Sequence, residues 1–166
     1  MVLTKAELIS SLQHEVNILV HLAGKLDDTS ANYRPTPKQR SSIELLRYLT
    51  LMGPGLLSAA VTGTFDREAW GAKAKAAESK SLAELIQEIE AQKTFYADTL
   101  GALSDADFRT ELDMFGNKTT RGAFIVNMVL GGHAAYRTQL FCYLKACGRE
   151  ELGTSNLWRG VDPTPA

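Results

Sequence analysis

The sequence predicts an all-α fold, a four-helix bundle with long connections and a short C-terminal tail. Three observations predict it. Capping boxes of the form Ser/Thr-x-x-Glu stand at Thr4–Glu7, Ser41–Glu44 and Ser81–Glu84, where the hydroxyl and the carboxylate satisfy each other's backbone donors at a helix start. Four stripes of apolar residues recur at helical spacing. No convincing set of alternating apolar strands accompanies them. Helices with one apolar stripe each must bury those stripes against one another, and a bundle is the architecture that does so.

Helix one is predicted over residues 4–26, capped by Thr4, with Leu8, Leu12, Val16, Leu19, Ala23 and Leu26 as its stripe. The polar, proline-bearing segment from Asp27 to Pro37 is a connection. Helix two spans 41–62 and buries Leu45, Leu49, Met52, Leu56 and Ala60. Gly53-Pro54-Gly55 interrupts it, and the proline predicts a kink or a break. Gly63 to Lys80 reads as a long connection with alanine-rich helical turns. Helix three spans 82–103, with Leu85, Ile89, Gln92, Tyr96, Leu100 and Leu103 on one face. In the following link, Phe115-Gly116-Asn117-Lys118 is a turn signal for a short hairpin. Helix four runs over 121–147, capped by Thr120 and ended by Gly148. Residues 1–148 thus form the bundle, and 149–166 form a tail pinned by Trp158.

Composition narrows the function. Lys+Arg 18 against Asp+Glu 19 leaves a net charge of −1 with no long basic run. Phosphate binding needs a concentrated positive face, so nucleic acid is not the expected partner. No apolar stretch reads as a membrane span or as the core of a signal peptide. Cys142 and Cys147 lie five apart on one predicted helix, pointing in different directions. A disulfide framework is therefore not expected, and the cytoplasm is the expected location.

Helix four carries the candidate site. Its predicted inward face is Ile125, Val129, Gly132, Tyr136, Leu140, Tyr143 and Cys147, so Gly132 and Tyr136 face the interior one turn apart. Residues four apart on a helix are neighbours, and two histidines at such positions can close on one metal ion. The run Gly132-His133-Ala134-Ala135-Tyr136-Arg137-Thr138-Gln139, the segment Glu44-Leu45-Leu46-Arg47-Tyr48 and the upstream Tyr33-Arg34-Pro35-Thr36-Pro37 together resemble the DinB-like (YfiT-like) metalloenzyme family. The resemblance covers most of residues 4–148. It implies a four-helix bundle, a homodimer and a divalent metal site, with thiol-transfer or hydrolysis chemistry in some members. It also implies two histidines four apart just before an Arg-x-Gln, and a third after Glu-Leu-Leu-x. Arg137 and Gln139 are present here, but the histidine positions hold Gly132, Tyr136 and Tyr48. Glycine offers no ligand atom, and a free phenol titrates near 10, so it binds divalent ions poorly at neutral pH.

The expectation is therefore a DinB-like protein with a degenerate metal site and no cofactor. It binds a small ligand or a partner through a pocket lined by Tyr48, Gly132, His133, Tyr136 and Gln139. The alternative is a divalent-metal-dependent transferase or hydrolase, using nickel or zinc on rearranged ligands. His133 is then a relocated ligand or a general base. Against that stands a histidine packed at a helix seam, which is preferred because a lone histidine lacks convergent partners. Arg137 is read as a tie from helix four to a loop or carboxylate. Asp105 and Asp107 are read as local hydrogen-bonding groups, and the cysteines as packing residues. His14, Ile18, His21 and Leu22 form a second side of helix one. A subunit contact and scattered surface residues are equally good readings of that side.

Overall fold

The computed structural model describes residues 3–164. Four long helical segments make the bundle: α1 (Lys5–Ala23), α3 (Ser42–Thr62), α5 (Leu82–Gly101), and a final segment that begins as α6 (Arg121–Phe124) and ends as α7 (Gly131–Ala146). They close into a ring in which α1 and α3 each pack against both α5 and the final segment. All three Ser/Thr-x-x-Glu capping boxes form as the sequence predicts. The core is the set of predicted stripes: Leu12, Val16 and Leu19 meet Leu45, Leu49 and Met52 together with Leu85, Ile89 and Tyr96.

Several elements differ from the sequence expectation. Helix α3 runs unbroken through Pro54. The proline removes one helical hydrogen bond, but Leu49, Met52, Leu56 and Leu57 are buried around it. Packing on these neighbours holds the helix through the missing bond. By length and composition α3 is also apolar enough to cross a membrane, which the sequence reading did not anticipate; here that apolar character serves the bundle core. The connection after it contains a full helix, α4 (Arg67–Ala77), in which Ala77 alone is buried. The short helix α2 (Asp28–Ala31) has its own cap at Asp27.

The hairpin is real: β1 (Glu111–Met114) pairs antiparallel with β2 (Asn117–Thr120). Its two turn residues, Phe115 and Gly116, have φ 56° and 78°, the pair of positive values that a two-residue type I′ turn requires. A phenylalanine is costly there. Its ring packs 5.3 Å from Phe65 and 6.3 Å from Phe124, between centroids.

The tail is also structured. Helix α8 (Thr154–Arg159) lies across α1. The His14 ring N–H donates to the Trp158 carbonyl at 2.8 Å, and the Asn156 amide donates to His21 at 3.0 Å. Ile18 and Leu22 are fully buried. The second side of α1 is therefore neither a free subunit contact nor a scatter of surface residues, but the seat of the chain's own C-terminal helix. Burying two such side chains contributes about 3–6 kcal/mol.

Arg137 completes this seam. Its guanidinium donates to the Leu157 carbonyl and stacks 4.5 Å from the Trp158 ring centre. Its Nε lies 2.7 Å from a Glu15 carboxylate oxygen, an ion pair whose N–H is not aligned for a hydrogen bond. Burial pushes the Glu15 carboxyl up, and the Arg137 charge pulls it back. Removing one member of a buried pair strands the other. Arg137→Met is expected to lower the unfolding free energy by about 3 kcal/mol in urea denaturation. Adding Glu15→Leu to that variant should recover much of the loss.

Candidate functional site

The register of the last helix decides what the interior contains. Between α6 and α7, Ile125–Leu130 is a π segment. Its wider turn takes up one more residue than an α turn. The buried positions then run Ile125, Val129, His133, Arg137, Leu140, Tyr143 and Leu144. The sequence reading had Gly132 and Tyr136 facing inward. They flank the interior instead, half-buried, and the residues one step later point in.

His133 is fully buried. Its Nε2 lies 2.6 Å from the Tyr96 hydroxyl, which lies 2.8 Å from the Gln92 amide oxygen. The Gln92 amide nitrogen donates to the Leu49 carbonyl at 2.9 Å. A carbonyl only accepts, so this last bond fixes the direction of the whole chain. Gln92 turns its oxygen to Tyr96, Tyr96 spends its one hydrogen on Gln92, and His133 must donate from Nε2–H. The imidazole Nδ1 is left as a bare lone pair, buried and without a partner among the described residues. Protonating it would place an unpaired charge in the core, and burial accordingly lowers the His133 pKa to about 4. Burial also pushes the Tyr96 phenol far above its ordinary value.

Gly53 makes the network possible. A Cβ there would lie 1.8 Å from the Tyr96 hydroxyl and 2.8 Å from His133 Nε2. The glycines around Pro54 mark close approaches rather than a helix break. A Cβ at Gly55 would lie 2.8 Å from the Trp70 ring, so Trp70 lies directly on the α3 backbone.

A second cluster forms beside this one. Tyr48 meets Tyr136 edge-on, with ring centres 5.2 Å apart, and Trp70 at 6.1 Å. The exposed Arg40 lays its guanidinium 4.1 Å over the Tyr48 ring. Burial and the neighbouring Tyr136 hydroxyl push the Tyr48 phenol up to about 12, so it stays protonated at neutral pH. The space that a side chain at Gly132 would occupy is taken by Met52, whose sulfur would lie 3.2 Å from such a Cβ.

Tyr48 and Tyr136 meet, and Gly132 adjoins Met52. His133 belongs to the Tyr96 network, and Gln139 donates to the Tyr143 hydroxyl. Asp107 accepts from the Ser104 backbone N–H at 2.7 Å, the local role expected of it. Cys142 and Cys147 are unpaired. The donor set at Tyr48, Gly132 and Tyr136 does not fit a histidine-type divalent site, which needs three or more converging N, O or S ligands. Among the described residues no three His, Cys, Asp or Glu side chains gather closely enough to hold an ion.

Sequence reasoning missed Gln92 and Tyr96 as a polar pair, took Gly53 and Gly55 for helix breakers rather than close approaches, and missed Trp70 and Arg40 altogether. The available signal was a glycine at an inward helical position, which usually records something packed against it.

The fold, a helical bundle with a two-stranded hairpin before its last helix, is DinB-like. A crystal structure of a DinB-like protein from Bacillus subtilis, YjoA, superposes with a TM-score of 0.68 at 18% identity, covering 89% of this chain and 95% of that one. The chain matches no family model and no curated protein sequence. At that identity the likeness is one of fold.

Two outcomes are expected. Gly53→Ala gains about 1 kcal/mol of helix propensity but collides with Tyr96 and His133. A net loss of about 2 kcal/mol in chemical denaturation should result. The second concerns pH. His133 binds its proton less readily folded, at about 4, than unfolded, at about 6.5. The unfolded chain therefore takes up more protons between those values, and stability falls as pH drops from 6.5 toward 4. The loss approaches about 3 kcal/mol at the acid end. His133→Gln, which keeps a donor toward Tyr96, should flatten the profile measured by thermal unfolding. A smaller slope should remain from His21, whose pKa is lowered by burial and by Lys25.

Proposed function

We propose that this DinB-like chain works without a metal ion and binds a small ligand or a partner through its aromatic α3–α4–α7 face. One observation carries the proposal. Where the family it resembles has three histidines, this chain has two tyrosine rings in contact, the Tyr48 phenol held protonated, and a glycine whose space Met52 fills. The Arg40 guanidinium over Tyr48 adds a fixed positive charge at the same place, which opposes a divalent cation. Tyr48, Tyr136 and Trp70 are half-buried and reachable from solvent. Rings so placed offer large contact area at low conformational cost. The binding reading includes a cytosolic setting, supported by two unpaired cysteines, and a ligand other than nucleic acid, supported by the net charge of −1. The family resemblance supports a homodimer, formed through a face other than the one α8 covers.

Elemental analysis of protein purified without a metal-binding tag tests the metal-independent part. Nickel, zinc, manganese and iron are expected well below one equivalent. One equivalent of any of them, lost in His133→Ala but retained in Tyr48→Phe, would overturn the proposal. It would favour a metal-dependent transferase or hydrolase on rearranged ligands.

A further inference from the structure

We infer that the groove between α3 and α4 binds a small anion with an aromatic or apolar body. The inference rests on the small-ligand reading above and gives that ligand a chemical class and a seat. The groove encloses about 680 Å³, within the range of small-molecule sites. Leu51 and Gly55 line it, together with Phe65 and Trp70, whose rings in contact form an aromatic wall.

The wall is held in place. Trp70 rests on α3 because Gly55 has no side chain to displace it, with Phe65 at 5.1 Å and Tyr48 at 6.1 Å between ring centres. Flat aromatic surface backed in this way favours a flat or apolar ligand body.

The rim sets the charge. Arg67 and Lys73 line the groove from α4. Neither has an ion-pair partner among the described residues. Asp66 is the one carboxylate lining the groove, and it is committed to capping α4, accepting from the Ala69 N–H at 2.8 Å. Two uncommitted cations beside an aromatic wall suit a carboxylate or a phosphate ester attached to a ring. Helix α4 buries Ala77 alone among its residues, and its Trp70 packs half-buried against the core. Such a helix can adjust around a ligand at little cost.

Three probes of one size separate the terms: benzoate, neutral benzyl alcohol and cationic benzylammonium. The readout is the indole N–H signal of Trp70 in a ¹⁵N-correlated spectrum, with Trp158→Phe assigning the two tryptophans. Benzoate is expected to move the Trp70 signal and to bind roughly tenfold tighter than benzyl alcohol, with benzylammonium weakest. Arg67→Gln with Lys73→Gln should remove the benzoate advantage and leave benzyl alcohol unchanged. Gly55→Ala, favourable to the helix itself, should displace Trp70 and weaken all binding. Benzyl alcohol binding as tightly as benzoate, or a double variant that holds benzoate unchanged, would overturn the anion class while small-ligand binding survived. No movement of Trp70 with any probe, or undiminished benzoate binding in Gly55→Ala, would overturn the groove as the seat. The metal-independent reading would then stand or fall on metal content alone.

Discussion

The absence of a side chain at Gly53 is the constraint on which the interior depends. Three helices meet at that point: α3 carries the glycine, α5 brings Gln92 and Tyr96, and α7 brings His133. A Cβ 1.8 Å from the Tyr96 hydroxyl could not coexist with the hydrogen bonds seen there. With the gap open, a directed chain runs from His133 through Tyr96 and Gln92 to the Leu49 carbonyl. Directed hydrogen bonds between buried side chains of different helices favour one arrangement of the elements that carry them. Here the arrangement fixed is the rotation of α7. It turns His133 and Arg137 inward and leaves Tyr136 at the flank.

That rotation also distributes the remaining chemistry. Arg137 is used to hold α8, through Glu15, the Leu157 carbonyl and the Trp158 ring. His14 and His21 are used on the same seam. All three histidines of the chain are therefore engaged in hydrogen bonds that join helices. What remains on the open side is aromatic: Tyr136, Tyr48, Trp70 and Phe65 in successive ring contacts, bordered by cations. Aromatic rings and cations so placed offer stacking, apolar contact and charge.

The bundle was legible in the sequence because its signals are local. Thr4–Glu7, Ser41–Glu44 and Ser81–Glu84 start their helices as read, and the stripes from Leu8 to Ala23 and from Leu45 to Ala60 are buried as read. The turn at Phe115-Gly116 was legible for the same reason. The site was less so, because its geometry depends on non-local facts. A π segment has no simple spacing signature, so an ideal α period placed Gly132 and Tyr136 inward. Ile18 and Leu22 looked like an unpartnered stripe because their partner, α8, lies more than a hundred residues later in the chain. Gly53 and Gly55 read as helix breakers because the rings that approach them, Tyr96 and Trp70, belong to other helices. Helix α4 was hidden because its alanine-rich sequence has almost no apolar stripe to bury.

The central claim is that His133 is a neutral, Nε2-protonated member of the core network, with its Nδ1 lone pair unused. Side-chain ¹⁵N and ¹³C chemical shifts of the His133 ring, followed from neutral pH downward, test this most directly. The account predicts the Nε2–H tautomer at neutral pH and no titration of this ring until the pH approaches about 4. An Nδ1–H tautomer, or a ring that titrates near 6.5 as a solvated histidine does, would contradict it.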